Sequence, residues 1–176
     1  MLATDLAGLA LRTPVILAAG TAGTLGEMAD ILDLSRVGAL VTKSITPKPR
    51  EGNAPWRVAP LKAGMINAIG LAYPGIDAVI SHYAPKAESI PTTVIGSIAG
   101  FSIDDYRRVA AELDAIESIP AVELNVSCPN VMHGVEIGAA PKHHAAHIRE
   151  VRARGASARR REREGRTERG GKGRRR

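Results

Sequence analysis

Cys128 is the only cysteine in the chain, and it stands in the run LNVSCPN (124–130), just past an alternating apolar stretch. A thiol can act as a base or nucleophile when nearby positive charge or hydrogen bonding brings its pKa toward working pH. Asn125 and Asn130 flank it with amides that both donate and accept hydrogen bonds, as a site gripping a planar polar ring would need. Lys43, at the end of the apolar run GALVT, suits an anionic ligand or an electron-rich ring. Asn67 lies in GMINAIGLAYPG (64–75), whose glycines let backbone approach a ligand closely, and Ser97 adds a hydroxyl at the end of TTVIGSIAG (92–100). Each residue also has a plainer use in isolation. A lone cysteine is often a small buried hydrophobe and a lysine often snorkels. Asn67 could sit in a structural loop, and Ser97 could be a turn residue.

What sets these residues apart is where the elements put them. PVILAAG (14–20), GALVTKSI (38–45), TTVIGSIAG (92–100) and AVELNV (121–126) read as strands, the last ended by Pro129. GEMADILDL (26–34) has helical spacing, with Met28, Ile31 and Leu34 on one face. A long loop rich in Pro and Gly comes after the second strand. A helix is expected from about Ile76 to Ser89, interrupted near Pro85, and another over 103–117 behind a capping-box-like Ser102 and Asp105. Strands separated by single helices are the pattern of βαβ units, so the chain reads as an α/β protein with a parallel sheet. Gly20, Lys43, Ser97 and Cys128 then fall at or just beyond the carboxyl ends of successive strands. In a TIM (β/α)8 barrel those ends converge on the face that carries active sites. A doubly wound sheet fits less well, because the first turn, AAGTAGTLG, lacks the GxGxxG spacing. A complete barrel takes about 250 residues, so the expectation is a barrel truncated to about its first four βα units, spanning residues 1–154.

The net charge of +6 over 176 residues is unevenly placed. From Arg149 onward thirteen Lys and Arg stand against four Glu, which leaves +9 there and −3 over residues 1–148. The body is mildly acidic, so any case for nucleic acid rests on the tail. Residues 155–176 contain no apolar side chain larger than alanine and cannot offset ordering entropy by burial, so a disordered basic tail is expected. Its Arg, Gly and Ala content reads as a shifted reading frame in GC-rich DNA. The alternative is a genuine nucleic-acid-binding arm, though it lacks aromatic residues for base stacking. With a single cysteine there is no intramolecular disulfide, and neither a signal peptide nor an apolar run of about 20 residues is visible. A cytoplasmic location with no membrane is expected. His143 and His147 stand four apart without the carboxylate of an HExxH pattern, so no metal is expected.

Taken together, TKSITPKPREGN (42–53), GMINAIGLAYPG (64–75) and ELNVSCPN (123–130) resemble the dihydroorotate dehydrogenase family, in its class 1 branch with a cysteine base. The resemblance runs from about Leu6 to Ile148. It implies a TIM barrel carrying FMN that oxidises dihydroorotate to orotate in pyrimidine (UMP) biosynthesis. By the family's pattern Cys128 is the general base that removes the C5 proton while hydride leaves C6 for the flavin. Ala19, Gly20, Lys43, Ser44, Ser97 and Asn125 fall where the family binds the cofactor. Lys43, Asn67, Ala68, Ile69, Gly70, Leu71, Asn125 and Asn130 fall where it binds dihydroorotate or orotate. Trp56, in the proline-rich loop, reads as a lid residue or an anchor for that loop.

The family further implies a homodimer and, in some members, an iron–sulfur/FAD electron-transfer subunit that passes electrons to NAD; fumarate is the other acceptor. Pyrimidine-reducing flavoenzymes share the barrel and a similar cysteine loop. The chain departs from the pattern in several places. Ala19 stands where many relatives have serine, and Ser97 where asparagine is common. The fifth-strand lysine and the late glycine-rich loops that hold the FMN phosphate have no counterpart. The chain expressed alone is therefore expected to bind flavin weakly and to be inactive and poorly folded.

Overall fold

A computed structural model describes residues 2–25 and 27–126, together with 145, 148, 149, 151 and 152. Its strands, in chain order, are β1 (Thr4–Leu6), β2 (Leu9–Leu11), β3 (Ile16–Leu17), β4 (Ala39–Val41), β5 (Val58–Leu61), β6 (Gly64–Asn67), β7 (Thr93–Ile98) and β8 (Ala121–Leu124). The helices are α1 (76–87) and α2 (Ile103–Leu113). Four strands form one parallel sheet in the order β3-β4-β7-β8. Successive βα strands thus add on one side without the reversal that defines a doubly wound sheet, which is how a barrel wall is built. Each expected strand is represented over a shorter span than expected: Ile16–Leu17 within 14–20, Ala39–Val41 within 38–45, Thr93–Ile98 within 92–100 and Ala121–Leu124 within 121–126.

Alternation along these strands divides two cores. Leu17, Leu40, Val94 and Ile98 face out, where Val79 of α1 and Tyr106, Val109 and Leu113 of α2 cover them. Ile16, Ala39, Val41 and Ile95 face in, and Leu9 and Leu11 of the β1–β2 hairpin pack on them. That hairpin turns through Ala7 and Gly8, both with positive φ (53° and 89°), the conformation a two-residue loop needs to match strand twist. With Ile16, Val41, Ile95 and Glu123 it borders a cavity of about 440 Å³ on the inner side of the sheet.

The capping box is formed as the sequence indicates. Ser102 Oγ accepts from the Asp105 N–H at 3.2 Å, and Asp105 Oδ2 accepts from the Ser102 N–H at 3.2 Å. α2 ends at Leu113 rather than at 117, because the chain turns there so that Ile116 and Ile119 both reach the outer core. α1 carries a π-helical stretch, Val79–Tyr83, immediately before Pro85. Proline has no N–H for the carbonyl four residues back and its ring crowds that carbonyl. The wider turn, in which the Ala84 N–H reaches Val79 O, absorbs the misfit without breaking the helix.

Three expectations need correction. The helix over 26–34 does not form among the described residues; turns lead instead to a short 3-10 helix, Leu34–Arg36, and Ile31 is exposed. Side-chain bonds mark the two ends of the segment: Glu27 accepts from the Thr24 and Leu25 N–H groups before it, and Asp33 accepts from Ser35 N and Oγ, capping the 3-10 helix that follows. The Ser35 hydroxyl holds the Asp33 carboxyl below the usual carboxylate range. The strand expected over 38–45 is regular only over Ala39–Val41. The loop after it contains the antiparallel β5–β6 hairpin, whose eight residues are all exposed, so no apolar-in, polar-out alternation marked it in the sequence. The expectations for residues 155–176, including the tail's reading frame, lie outside the described residues.

Gly38 shows how tightly the sheet's first crossing is built. Its N–H donates to Val15 O at 2.8 Å, and a Cβ added there would lie 2.0 Å from Thr13 O, a backbone atom that cannot rotate away. Gly38→Ala is expected to cost about 3 kcal/mol by overpacking, read as a shift of the urea midpoint; an unchanged midpoint would contradict this packing.

Candidate functional site

The site begins with an irregularity in the parallel ladder. Val41 is paired with Ile95, but the next bridge joins Ile45 to Ile98, so one more residue separates the pairs on the β4 side. This is a β-bulge, a device that re-aims side chains at strand ends. Thr42 builds it. Its N–H still donates to Ile95 O at 3.0 Å, but its hydroxyl oxygen accepts the Ser97 N–H at 3.1 Å and the hydroxyl itself donates to Lys43 O at 3.0 Å. The ladder resumes when the Ile45 N–H donates to Ser97 O and the Ala99 N–H to Ile45 O. Lys43 and Ser44 are therefore carried on the bulge.

Across it, three polar side chains from distant parts of the chain meet. Asn125 Nδ2 donates to Ser44 Oγ at 2.9 Å, and Ser44 Oγ lies 3.0 Å from Ser97 Oγ. Ser97 is fully buried, whereas Ser44 and Asn125 are half-buried. Asn125 is held rigidly, because its N–H donates to Ile98 O at 2.9 Å and its carbonyl accepts from Tyr106 Oη at 2.6 Å. α2 thus fixes Asn125, which stands three residues before Cys128 in the sequence. Lys43 is half-buried, and its side chain makes no hydrogen bond or ion pair with the described residues. Ala19 packs against the inner core, and Gly20 comes next in a turn closed by the Thr21 N–H on Ala18 O. Among the described residues, its two chain neighbours aside, no heavy atom lies within 4 Å of where a Gly20 Cβ would sit.

The 67–71 segment is anchored elsewhere. Asn67 ends β6, and Asn53 grips the two residues after it, its Nδ2 donating to Ala68 O at 2.9 Å and its N–H to Ile69 O at 3.0 Å. Gly70 has φ +77° and passes so close to Asn53 that a Cβ would lie 2.7 Å from the Asn53 nitrogen, so only glycine fits. Leu71 also has positive φ, at 58°. Arg50 joins this segment to the barrel. Its Nε donates to Gly70 O at 3.4 Å, its backbone pairs with Tyr73, and its guanidinium stacks over Phe101, in the loop after β7, at 4.8 Å. Tyr73 is buried, which pushes its hydroxyl pKa up, and its ring packs 6.1 Å from that of Tyr83. Trp56 is almost wholly exposed.

Of the residues picked out from sequence, the fold directly links Ser44, Ser97 and Asn125, with Lys43 beside them. Cys128, Asn130, His143 and His147 lie outside the described residues. Sequence reasoning missed Thr42, Arg50 and Asn53. All three sit in the motif TKSITPKPREGN, but a bulge, a cation stacked on a ring and a side chain gripping a distant loop leave no periodic signal. Among the described residues no three His, Cys, Asp or Glu side chains converge as a metal site would need, and no helix is long and apolar enough to cross a membrane.

Comparisons with known proteins bear on the family and the fold. The chain is 46% identical over 151 residues to dihydroorotate dehydrogenase B (NAD(+)), catalytic subunit, of Desulforudis audaxviator, covering 85% of this chain and 49% of that protein. It is 43% identical over 133 residues to the protein of the same name from Listeria monocytogenes, covering 76% and 44%. The chain thus spans about half the length of these curated relatives. The crystal structure of Eimeria tenella DHODH in complex with ferulenol superposes with a TM-score of 0.70 at 22% identity, over 86% of this chain and 43% of that one. That likeness supports the TIM-barrel type of fold. A family model described as dihydroorotate dehydrogenase matches residues 1–157, which include the bulge, the Asn53-gripped segment and the cysteine loop, and the chain accordingly belongs to the dihydroorotate dehydrogenase family.

Proposed function

We propose that this chain supplies the substrate- and flavin-facing residues for oxidation of dihydroorotate to orotate in pyrimidine biosynthesis. The observation that carries the reading is the Ser44–Ser97–Asn125 network, assembled at the strand ends three residues before Cys128. FMN fits this donor set. The half-buried Lys43 ammonium, the Ser44 hydroxyl and the Asn125 amide present polar hydrogens, the network contains no carboxylate, and the turn at Gly20 leaves open space. Ala19, Gly20, Lys43, Ser44 and Asn125 would hold the cofactor, with Ser97 behind them. When bound, FMN supplies the two-electron acceptor for the oxidation.

The chain's own residues do the rest. Asn125 and Asn130 donate to the carbonyls of the substrate ring, and the backbone of Asn67, Ala68, Ile69, Gly70 and Leu71 closes on it. Lys43 attracts the substrate carboxylate and favours a thiolate nearby, since opposite charge at short range stabilises the ionised form. Cys128 takes the proton from C5. The name shared by the bacterial relatives, catalytic subunit, supports a separate electron-transfer subunit as partner. A homodimer and a cytoplasmic location belong to the same proposal.

To test it, residues 1–154 would be joined to the second half of the Desulforudis relative, supplying the length this chain does not span. The purified chimera is expected to turn over dihydroorotate in preference to dihydrouracil. Equal turnover of both would favour a general pyrimidine-reducing flavoenzyme.

A further inference from the structure

We infer that Ser97 is a positioning residue whose hydroxyl donates to Ser44, leaving the Ser44 hydroxyl hydrogen to point out of the network toward the ligand. The inference rests on the flavin reading above and changes the part Ser97 plays in it. Ser97 is 0% exposed, so it does not face a ligand itself.

Proton bookkeeping fixes the direction of the bond. Asn125 Nδ2 can only donate, so at 2.9 Å Ser44 Oγ is the acceptor. The 3.0 Å contact between Ser44 Oγ and Ser97 Oγ could run either way by distance alone. If Ser44 donated inward, the Ser97 hydrogen would be buried without an acceptor among the described residues, an arrangement that folded proteins avoid. If Ser97 donates, both buried protons are satisfied and both Ser44 lone pairs are filled. The Ser44 hydrogen then has no acceptor among the described residues and points outward. Beside Lys43, which also only donates, the bulge offers donors alone, matching a ring nitrogen or carbonyl acceptor.

A consequence is that this chain does by relay what an asparagine at position 97 would do directly. Asparagine is long enough to present its own amide to a ligand. Serine is not, so its effect on a ligand must pass through Ser44, and losing Ser97 should matter only while Ser44 is present.

The experiment is a double-mutant cycle on the full chain: unmodified protein, Ser44→Ala, Ser97→Ala, and both together. Each is followed by urea unfolding and by titration with FMN, read from flavin fluorescence. Ser44→Ala should lower the unfolding midpoint more than Ser97→Ala, because it orphans both the buried Ser97 hydroxyl and the Asn125 amide. Adding Ser97→Ala to Ser44→Ala should bring no further fall. Ser97→Ala alone should weaken FMN binding about tenfold, as expected for one misdirected hydrogen bond. In the Ser44→Ala background it should leave FMN binding unchanged. Additive losses in either readout would overturn the inference, as would a Ser97→Ala protein identical to the unmodified one. If the unmodified chain takes up no FMN, the flavin reading fails, while the unfolding cycle still decides whether Ser97 and Ser44 are coupled.

Discussion

Replacing Cys128 with alanine in the completed barrel is expected to lower dihydroorotate turnover by roughly 10²–10⁴-fold, the range removed with a positioned general base. Asn125, three residues before Cys128 in the sequence, has its backbone pinned on one side by Ile98 and on the other by the Tyr106 hydroxyl. Lys43, on the neighbouring bulge, supplies positive charge without a carboxylate partner among the described residues. A base must be deprotonated to work, so turnover should rise with pH through the thiol's pKa. An unperturbed thiol titrates at about 8.5. Cys128→Ser should keep a small activity that climbs only at higher pH, because a hydroxyl gives up its proton far less readily. A serine variant with an unshifted pH profile would remove the thiol from the proton-transfer step.

Thr42→Val is expected to damage the site as severely by a different route. Valine matches threonine in shape but offers no oxygen to the Ser97 N–H, which sits beside a wholly buried residue. A buried donor left unpaired costs about 1–3 kcal/mol, and the ladder can escape that cost only by closing the bulge. Closing it shifts the residues beyond by one, which sends Lys43 and Ser44 to opposite faces. Turnover should therefore fall about 100-fold or more in the completed barrel, alongside a lower unfolding midpoint. Thr42→Ser keeps the oxygen and loses one buried methyl, worth about 0.8 kcal/mol, so it should retain most activity. If valine and serine behave alike, the hydroxyl is not what holds the bulge.

Thr42 also marks the limit of what the sequence reveals. The α/β pattern, the four strands of the parallel sheet, the Ser102 capping box and the placement of Ser97 and Asn125 at strand ends were all readable. They come from apolar periodicity and short-range cap chemistry. The bulge was not, because GALVTKSI is apolar and β-branched enough to pass for an uninterrupted strand, and the competing bond comes from a residue 55 positions away. The 26–34 segment was misread from its helical spacing alone, which did not show that turns and a 3-10 helix capped by Asp33 would take its place. The β5–β6 hairpin has no buried face, so it leaves no alternation to detect. In the site, sequence supplied the candidates, while contacts such as Arg50 on Phe101 needed the fold.

The most direct test of the central claim is anaerobic mixing of the flavin-loaded chimera with dihydroorotate while the flavin's visible absorbance is followed. Rapid bleaching by dihydroorotate is predicted, with little by dihydrouracil and near loss of the fast phase in Cys128→Ala. A flavin that stays oxidised in the presence of dihydroorotate, or that bleaches equally fast without Cys128, would contradict it.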